Sequence, residues 1–296
     1  MNYFYSENQV KTYQKFVNDP LFPSLIDYLY AHREEEVILR ELKKEFPQKD
    51  FEHFLDQLIE NGLILRKARR YRLNFPVFEP NDYQEYSRAL TEKIASELES
   101  MTEIDRKFAM SEEIWTYCFE EEAEYFYAVT NDRQVRKMTA GNSTYRFVSL
   151  SSDEELPLSL AVYFFIQKNQ LPIPSKFSEI AELIGDVNEA YYFDQVEVII
   201  ERIRKGKFKN RRPSIFLESL LATRTVEKTT QESDAYELVL PIVSEEREPL
   251  DIIKCTDGID LPTDAVAFIK KQAYNELKSR FMPKSFSYIK KMLDNE

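Results

Sequence analysis

Glycine is scarce in this chain, and its scarcity excludes two common kinds of nucleotide-binding site. The 296 residues include five glycines, at positions 62, 141, 185, 206 and 258. A loop that wraps a phosphate needs closely spaced glycines, because its backbone must approach the phosphate without an intervening Cβ. No two of the five are close enough, so the sequence contains neither the dinucleotide-binding fingerprint nor the P-loop.

Cysteine and histidine are also scarce, with two of each. Cys118 and Cys255 are too far apart in sequence to indicate a disulfide framework or a metal motif. His32 and His53 belong to no cluster with the spacing of metal ligands. The tract 120–124 is rich in carboxylates. Adjacent side chains on a helix point in different directions, so these carboxylates are poorly placed to form a catalytic pair. The sequence therefore predicts no catalytic site, no metal and no cofactor.

Long hydrophobic runs are missing as well. The longest nearly apolar run, residues 156–166, is too short to cross a bilayer. The first seven residues lack the charged and then apolar pattern of a signal peptide. Apolar residues nevertheless make up 43% of the chain, which is enough for two ordinary cores. We therefore expect a cytoplasmic protein of two domains with no membrane partner.

The net charge of −12 is unevenly distributed. Residues 81–124 carry −9 of it, whereas residues 1–80 carry −1 and residues 125–296 carry −2. A uniformly acidic protein would argue against a nucleic-acid partner. An acidic connector between nearly neutral domains does not decide that question.

The most informative stretch is the N-terminal module, defined here as residues 20–78. It predicts helices over 24–31, 39–46 and 50–61, followed by short strands over 63–66 and 70–73. Gly62 provides the stop after the third helix. The apolar positions of that helix follow the spacing of one buried face, which we expect to pack on Leu25 and Leu29: Phe51, Phe54, Leu55, Leu58 and Ile59.

This order of elements resembles the winged-helix variant of the helix-turn-helix, over about a fifth of the chain. The resemblance implies that the third helix enters the major groove of DNA and that the hairpin, or wing, contacts the backbone. The implied helix contacts are Lys49, His53 and Gln57. The implied wing contacts, suited to phosphate, are Arg66, Lys67, Arg69, Arg70 and Arg72. The opening hundred residues also resemble an uncharacterised bacterial family that has no known activity.

The third helix departs from the DNA-binding pattern. Its polar positions include four carboxylates with no lysine or arginine between them: Asp50, Glu52, Asp56 and Glu60. Such a face repels phosphate, and winged helices also serve as protein-docking modules. A DNA-binding regulator, a protein–protein adaptor that docks through the acidic helix, and a merely structural module therefore all stay open.

The acidic connector predicts a long helix over 82–108, opened by a capping box of Asp82 and Glu85. Its apolar residues recur every three or four positions from Tyr86 to Phe108. Such a stripe suits the seam of a homodimer, or packing on the chain's own C-terminal domain.

A second basic cluster follows a predicted helix around Gly206, and it consists of Arg202, Arg204, Lys205, Lys207, Lys209, Arg211 and Arg212. Seven cations in eleven residues make a strong local field, and Phe208 could stack on a base. The plainer interpretation is a solvated connector whose cations are favourably placed at a helix end.

We expect an α+β protein with a winged-helix domain (1–80), an acidic helical connector (81–124) and a mixed α+β domain (125–296). The last domain is predicted to close with helices over 262–281 and 283–293. We expect a non-enzymatic DNA-binding or protein-docking function. An enzyme whose site is assembled by folding within 125–296 is the third hypothesis.

Overall fold

A computed structural model of the chain describes residues 1–120, 123–130, 135–152, 156–209, 212–229, 235–244 and 260–292. The fold mixes helices with small sheets, so the predicted α+β class is confirmed. Contacts group the chain into two compact units. The first consists of Met1–Thr102, Glu112–Asp132 and Asp251–Ser279, and the second of Glu103–Ser111, Arg133–Leu250 and Arg280–Glu296. These units do not follow the boundaries expected near residues 80 and 124.

The helices, in chain order, are α1 Val10–Val17, α2 Leu21–Ala31, α3 Leu39–Glu45, α4 Phe51–Glu60, α5 Gln84–Glu99, α6 Glu103–Ser111, α7 Glu113–Phe119, α8 Leu160–Lys168, α9 Ser178–Ile184, α10 Glu189–Arg204, α11 Ile215–Ala222 and α12 Thr263–Phe281. The strands are β1 Asn2–Tyr5, β2 Ile64–Lys67, β3 Arg70–Leu73, β4 Val77–Phe78, β5 Phe126–Val129, β6 Val135–Gly141, β7 Tyr145–Ser152, β8 Val226–Lys228, β9 Tyr236–Leu238, β10 Ile242–Ser244 and β11 Phe286–Lys291.

The N-terminal module has the element order that the sequence predicts: three helices, α2 to α4, followed by the antiparallel hairpin β2–β3. The apolar face of α4 is buried in one cluster with Leu25 and Leu29. Four of its five predicted positions are at most 8% exposed, and Ile59 is only half-buried at the edge of the cluster. The predicted core of the module is therefore confirmed.

A small sheet completes the first unit. Strand β5 lies between β1 and β4, antiparallel to β1 and parallel to β4. Tyr3 and Val77 both stand opposite Ala128. Strand β1 was not predicted, because its pairing partner lies about 120 residues away in sequence. Residues 126–129 thus belong with the N-terminal elements.

The predicted long helix over 82–108 is wrong, because it is broken into α5 and α6. The turn that ends α5 contains Ser100, whose hydroxyl donates to the carbonyl oxygen of Glu97 (2.9 Å). Serine and threonine compete for backbone hydrogen bonds in this way and favour helix ends. The predicted capping box is also absent, since the carboxylate of Asp82 accepts from the backbone N–H of Glu79 (2.8 Å).

The apolar stripe of the connector is mostly buried within the single chain. Leu90, Ile94 and Leu98 are at most 4% exposed, whereas Tyr86 and Ile104 are more than 40% exposed. The three buried side chains cannot face a second copy of the protein. Of the two interpretations of the stripe, the structure therefore favours packing within the chain over a homodimer seam.

The second unit is built on a four-stranded sheet in the order β10–β11–β7–β6. Its core includes α8 and the buried face of α10. Residues 286–291 form the inner strand β11 of this sheet, so the helix predicted over 283–293 is wrong. Phe286 pairs with Leu150 and Tyr288 with Val148 across the sheet. These distant partners decide the conformation, and local spacing does not reveal them.

Candidate nucleic-acid interface

The basic hairpin, defined here as residues 64–73, places its cations according to its register. Lys67 stands opposite Arg70, Arg66 opposite Tyr71, and Leu65 opposite Arg72. Because side chains alternate along a strand, Lys67, Arg70 and Arg72 share one face of the ribbon. Arg66 lies on the other face, where its guanidinium is 5.7 Å from the ring centre of the buried Tyr71.

A two-residue turn, Ala68-Arg69, joins the strands and projects Arg69 from the tip. Both residues have positive φ, 49° and 61°. Positive φ at both positions is the geometry of a type I′ turn, which matches the twist of a hairpin. Non-glycine residues rarely adopt it, because Cβ crowds the following carbonyl oxygen. The tip is therefore tight and mildly strained.

The hairpin is tied to α4 at its base. Gly62 has φ of 73°, its N–H donates to Ile59 O (3.1 Å), and Leu63 N–H donates to Leu58 O (2.9 Å). This is the Schellman pattern that glycine favours after a helix. The Asn74 side chain then donates to Gly62 O (2.8 Å) and closes the base. The cationic tip is thus held at a fixed place relative to α4.

Only one of the hairpin cations is in an ion pair within the described residues. Arg70 Nε lies 2.9 Å from Glu36 Oε2. The partner comes from the run Glu34–Glu36, just before the backbone of Val37 and Ile38 pairs with β3. The contact was not predicted from the sequence, in which the β-branched pair Val37-Ile38 was the available signal for pairing with β3. Lys67, Arg69 and Arg72 are exposed and form no ion pair in that part of the chain.

Helix α4 presents a surface of the opposite sign. The acidic stripe is defined here as Glu52, Asp56 and Glu60. These residues follow one another at intervals of four, and all three are exposed. At a rise of 1.5 Å per residue it runs for about 12 Å along one face. Lys43 Nζ, from α3, lies 2.5 Å from Glu52 Oε1 and offsets one of these charges.

The three residues expected to contact DNA from α4 lie beside this stripe. His53 and Gln57 are one turn apart, and their Nε2 atoms are 3.1 Å from each other. Lys49 is exposed in the turn before the helix. The module thus carries a positive hairpin and a negative helix face, so its surface charge is divided between two elements.

The second basic cluster lies at the C-terminal end of α10. Lys207 N–H donates to Arg202 O (2.8 Å), and Gly206 N–H donates to Ile203 O (2.9 Å), which again gives a Schellman ending. Cations at this end of a helix are stabilised by its dipole. The plainer interpretation of the cluster is thus consistent with its position.

Two of the cluster's cations are held by one carboxylate. Arg204 Nη1 and Lys205 Nζ each lie 3.0 Å from an oxygen of Glu201. The hydroxyl of Tyr145 also donates to Glu201, and with the hydrogen bond from Lys205 it lowers the pKa of Glu201 to about 2. Arg204 and Lys205 are thus engaged within the chain, and Arg204 also donates to the hydroxyl of Tyr145 on β7 (2.7 Å).

The rest of the second cluster is exposed: Arg202, Lys207, Lys209 and Arg212. Arg211 lies outside the described residues. Phe208 is half-buried, and its ring meets Tyr236 edge-on with centres 5.5 Å apart. This packing leaves Phe208 badly placed to stack on a base.

Other candidate chemistry is sparse in the described ranges. No group of three His, Cys, Asp or Glu residues there could hold a metal ion. Cys118 is buried, and burial raises the pKa of its thiol to about 12. None of the helices described combines the length and apolar surface that crossing a bilayer requires.

Comparison with known families gives one match. Residues 2–111 match a family described as a domain of unknown function (DUF1803). The matched region runs from β1 to α6 and so includes the whole N-terminal module. Comparisons with curated proteins and with solved structures give no match. The resemblance of the opening hundred residues to an uncharacterised family is therefore supported, and it brings no activity with it.

Proposed function

We propose that the N-terminal module is a winged helix that binds duplex DNA through its basic hairpin, in a cytoplasmic, non-enzymatic regulator. The observation that carries the proposal is the set of exposed cations on this hairpin. Lys67 and Arg72 share one face with Arg70, and Arg69 projects from the tip. A two-stranded ribbon of this kind fits a DNA groove.

The charge of α4 determines how the module would approach DNA. Three carboxylates along the exposed face of the helix would repel phosphates on both sides of a major groove. The hairpin has no acidic residue between its first and last positions. We therefore infer that the hairpin leads the contact and that α4 stays at its margin. His53 and Gln57 would then contribute less to base recognition than a recognition helix normally does.

A salt-dependent titration against mixed-sequence duplex DNA tests the proposal. Each phosphate contact contributes about 0.9 to the slope of log affinity against log salt. The double variant Lys67→Ala, Arg69→Ala should therefore reduce the magnitude of the slope by about 1.8 and weaken all sequences alike. The matched control is Lys11→Ala, Arg88→Ala, which removes two exposed cations of the same unit outside the module.

Two results would decide against hairpin-led binding. If the control variant reduces the slope as much as the hairpin variant, the effect reflects net charge alone. If the wild-type chain does not bind the duplex even near 50 mM salt, the DNA proposal fails.

Protein docking is the second candidate, and the acidic stripe favours it. Glu52, Asp56 and Glu60 form an ordered, exposed row that suits a basic partner surface. Neutralising all three as Gln, Asn and Gln should abolish binding of such a partner and leave the hairpin's salt-dependent DNA affinity unreduced. A wild-type chain that fails to bind DNA would make docking the leading hypothesis.

A further inference from the structure

Helix α10 of the second unit carries aligned apolar side chains on its exposed face. Tyr191 and Val198 are 55% and 47% exposed, the two largest fractions among the large apolar side chains of the described residues. They are seven positions apart, which is about two helical turns, so they share one face and are about 10 Å apart along the axis. Exposed apolar residues that occur singly need no explanation, whereas exposed residues grouped on one face indicate an interaction surface.

The exposed apolar surface extends onto α11. The ring of Tyr191 meets that of Phe216 edge-on, with centres 6.1 Å apart, and the buried Tyr192 also contacts Phe216. Ile215, the first residue of α11, is exposed beside Phe216. The apolar patch, defined here as Tyr191, Val198 and Ile215, therefore spans two helices of the second unit. Its aromatic ring is held by a neighbour, so less entropy is lost when a partner binds.

The carboxylates in the middle of α10 are held on another side of the helix. Asn142, in the turn that joins β6 to β7, donates to Asp194 Oδ1 (3.1 Å) and to Glu197 Oε2 (2.7 Å). The hydroxyl of Tyr145, at the start of β7, donates to Glu201. These contacts draw the three carboxylates toward the β6–β7 turn, whereas Tyr191 contacts α11. Negative charge is thereby kept off the face that carries the patch.

Exposed cations lie beyond one end of the patch. Arg202 is four positions after Val198 and continues the same face of α10. Three further exposed cations follow in the chain: Lys207, Lys209 and Arg212. Glu189 and Glu218 are within three positions of Tyr191 and Ile215, so the other end of the patch is not basic. A partner that covers the patch therefore meets positive charge at the C-terminal end of α10, and complementary charge there determines which partner is accepted.

We propose that the apolar patch docks an amphipathic helix of a partner protein, with the apolar side chains of that helix on Tyr191, Val198 and Ile215 and its carboxylates facing Arg202. The face from Tyr191 to Arg202 is about 16 Å long, which matches about three turns of a helix. An amphipathic helix that binds through its apolar face is a recurring mode of peptide recognition. Val198 and Ile215 offer no contact to phosphate, so a protein fits this surface better than a nucleic acid. The proposal is independent of DNA binding by the N-terminal module.

Selection of random peptides of about 16 residues, displayed as a library and tested against the full chain, examines the proposal. The enriched peptides should have apolar residues at intervals of three and four and a net negative charge. A synthetic peptide of the enriched sequence should bind with a Kd of about 100 μM or tighter. Its affinity should fall as salt is raised from about 50 mM to about 500 mM, because salt screens the attraction to the cations.

Variants of the full chain place the peptide on the patch. Tyr191→Ser and Arg202→Gln should each weaken the peptide at least about tenfold, because tyrosine and arginine often dominate the energy of an interface. Both side chains are exposed, so the fold should be retained. The matched controls, Tyr86→Ser and Arg88→Gln, remove an exposed tyrosine and an exposed arginine from α5 and should leave the affinity unchanged.

Each contrary result would overturn the assignment. A selection that enriches no sequence, or that enriches basic peptides, would exclude this partner. Equal affinity of the peptide for wild type and Tyr191→Ser would show that it binds elsewhere. Losses in the control variants equal to those in the patch variants would show a non-specific effect. A single-stranded oligonucleotide that binds more tightly than the peptide and is lost in Tyr191→Ser would assign the patch to nucleic acid. Sedimentation of wild type as a dimer and of Tyr191→Ser as a monomer would assign it to a second copy of the chain.

Discussion

Arg70 Nε lies 2.9 Å from Glu36 Oε2, so one cation of the basic hairpin forms an ion pair with a carboxylate from the turn before α3. Both side chains are well exposed, and exposed pairs of this kind contribute little to stability, about 0–1 kcal/mol. The pair matters more for the charge that the hairpin presents. While the pair is formed, one of the cations on the shared face is already neutralised.

Glu36→Gln should therefore strengthen duplex binding by the hairpin. Arg70 becomes available for a phosphate, so the slope of log affinity against log salt should increase in magnitude by up to about 0.9. The free energy of unfolding should change by less than about 1 kcal/mol. Anisotropy titrations at several salt concentrations measure the slope. Glu34→Gln is the control, since it removes the same charge two residues away, and an equal gain there would contradict a specific effect of the pair.

The sequence predicts the N-terminal module well because its signals are local. The spacing from Phe51 to Leu58 and the stop at Gly62 both act within a few residues, and the structure confirms both. Strand β1 and strand β11 were missed because each depends on a partner more than a hundred residues away. Local propensity does not carry that information.

Some features of the candidate site likewise follow from local sequence, whereas others depend on contacts between distant residues. The hairpin cations occur in one short run of sequence, so they could be recognised together. The Glu36–Arg70 pair joins residues 34 positions apart, and residues of α2 and β3 line one cavity. Neither relationship follows from spacing, because each depends on how α2 and β3 pack. The division of charge between hairpin and α4 was anticipated from the acidic residues of the helix.

Leu55→Ala should destabilise the first unit by about 2–5 kcal/mol, because it leaves a cavity in a packed core. Leu55 is 2% exposed and belongs to the core cluster of the module. Ile59→Ala provides the comparison, since Ile59 is only half-buried at the edge of that cluster. Denaturant titrations should show a clearly smaller loss for Ile59→Ala. Equal losses, or a loss well under 1 kcal/mol for Leu55→Ala, would show that the core differs from this packing.

Lys271 of α12 is 2% exposed, and its Nζ lies 3.9 Å from the ring centre of Phe4. Burial lowers the pKa of its ammonium group from 10.5 to about 7. Between these values the unfolded chain binds more protons than the folded chain, so this residue makes stability rise with pH. Below pH 7 the destabilising effect of burying the charge is fully present.

Lys271→Met should therefore stabilise the protein at pH 7 by about 2–5 kcal/mol. The advantage over wild type should shrink as the pH is raised to about 9.5, by at most about 1.4 kcal/mol per pH unit. Tyrosines whose pKa is raised affect both proteins alike and cancel in the difference. Lys11→Met, at an exposed position, should show no such trend. A difference between wild type and Lys271→Met that stays constant with pH would exclude this titration.

The turn Ala68-Arg69 allows fold stability and DNA affinity to be changed in opposite directions. Both residues have positive φ, which destabilises a non-glycine residue by about 1–2 kcal/mol. Arg69→Gly relieves the strain and should raise the free energy of unfolding by about 1 kcal/mol. It also removes the cation at the tip, so the magnitude of the salt slope should fall by about 0.9.

Ala68→Asn relieves strain without changing charge, and it should stabilise the hairpin while leaving the slope unchanged. If Arg69→Gly lowers stability, the turn is not type I′. If it leaves the slope unchanged in a chain that binds DNA, the tip of the hairpin does not contact phosphate.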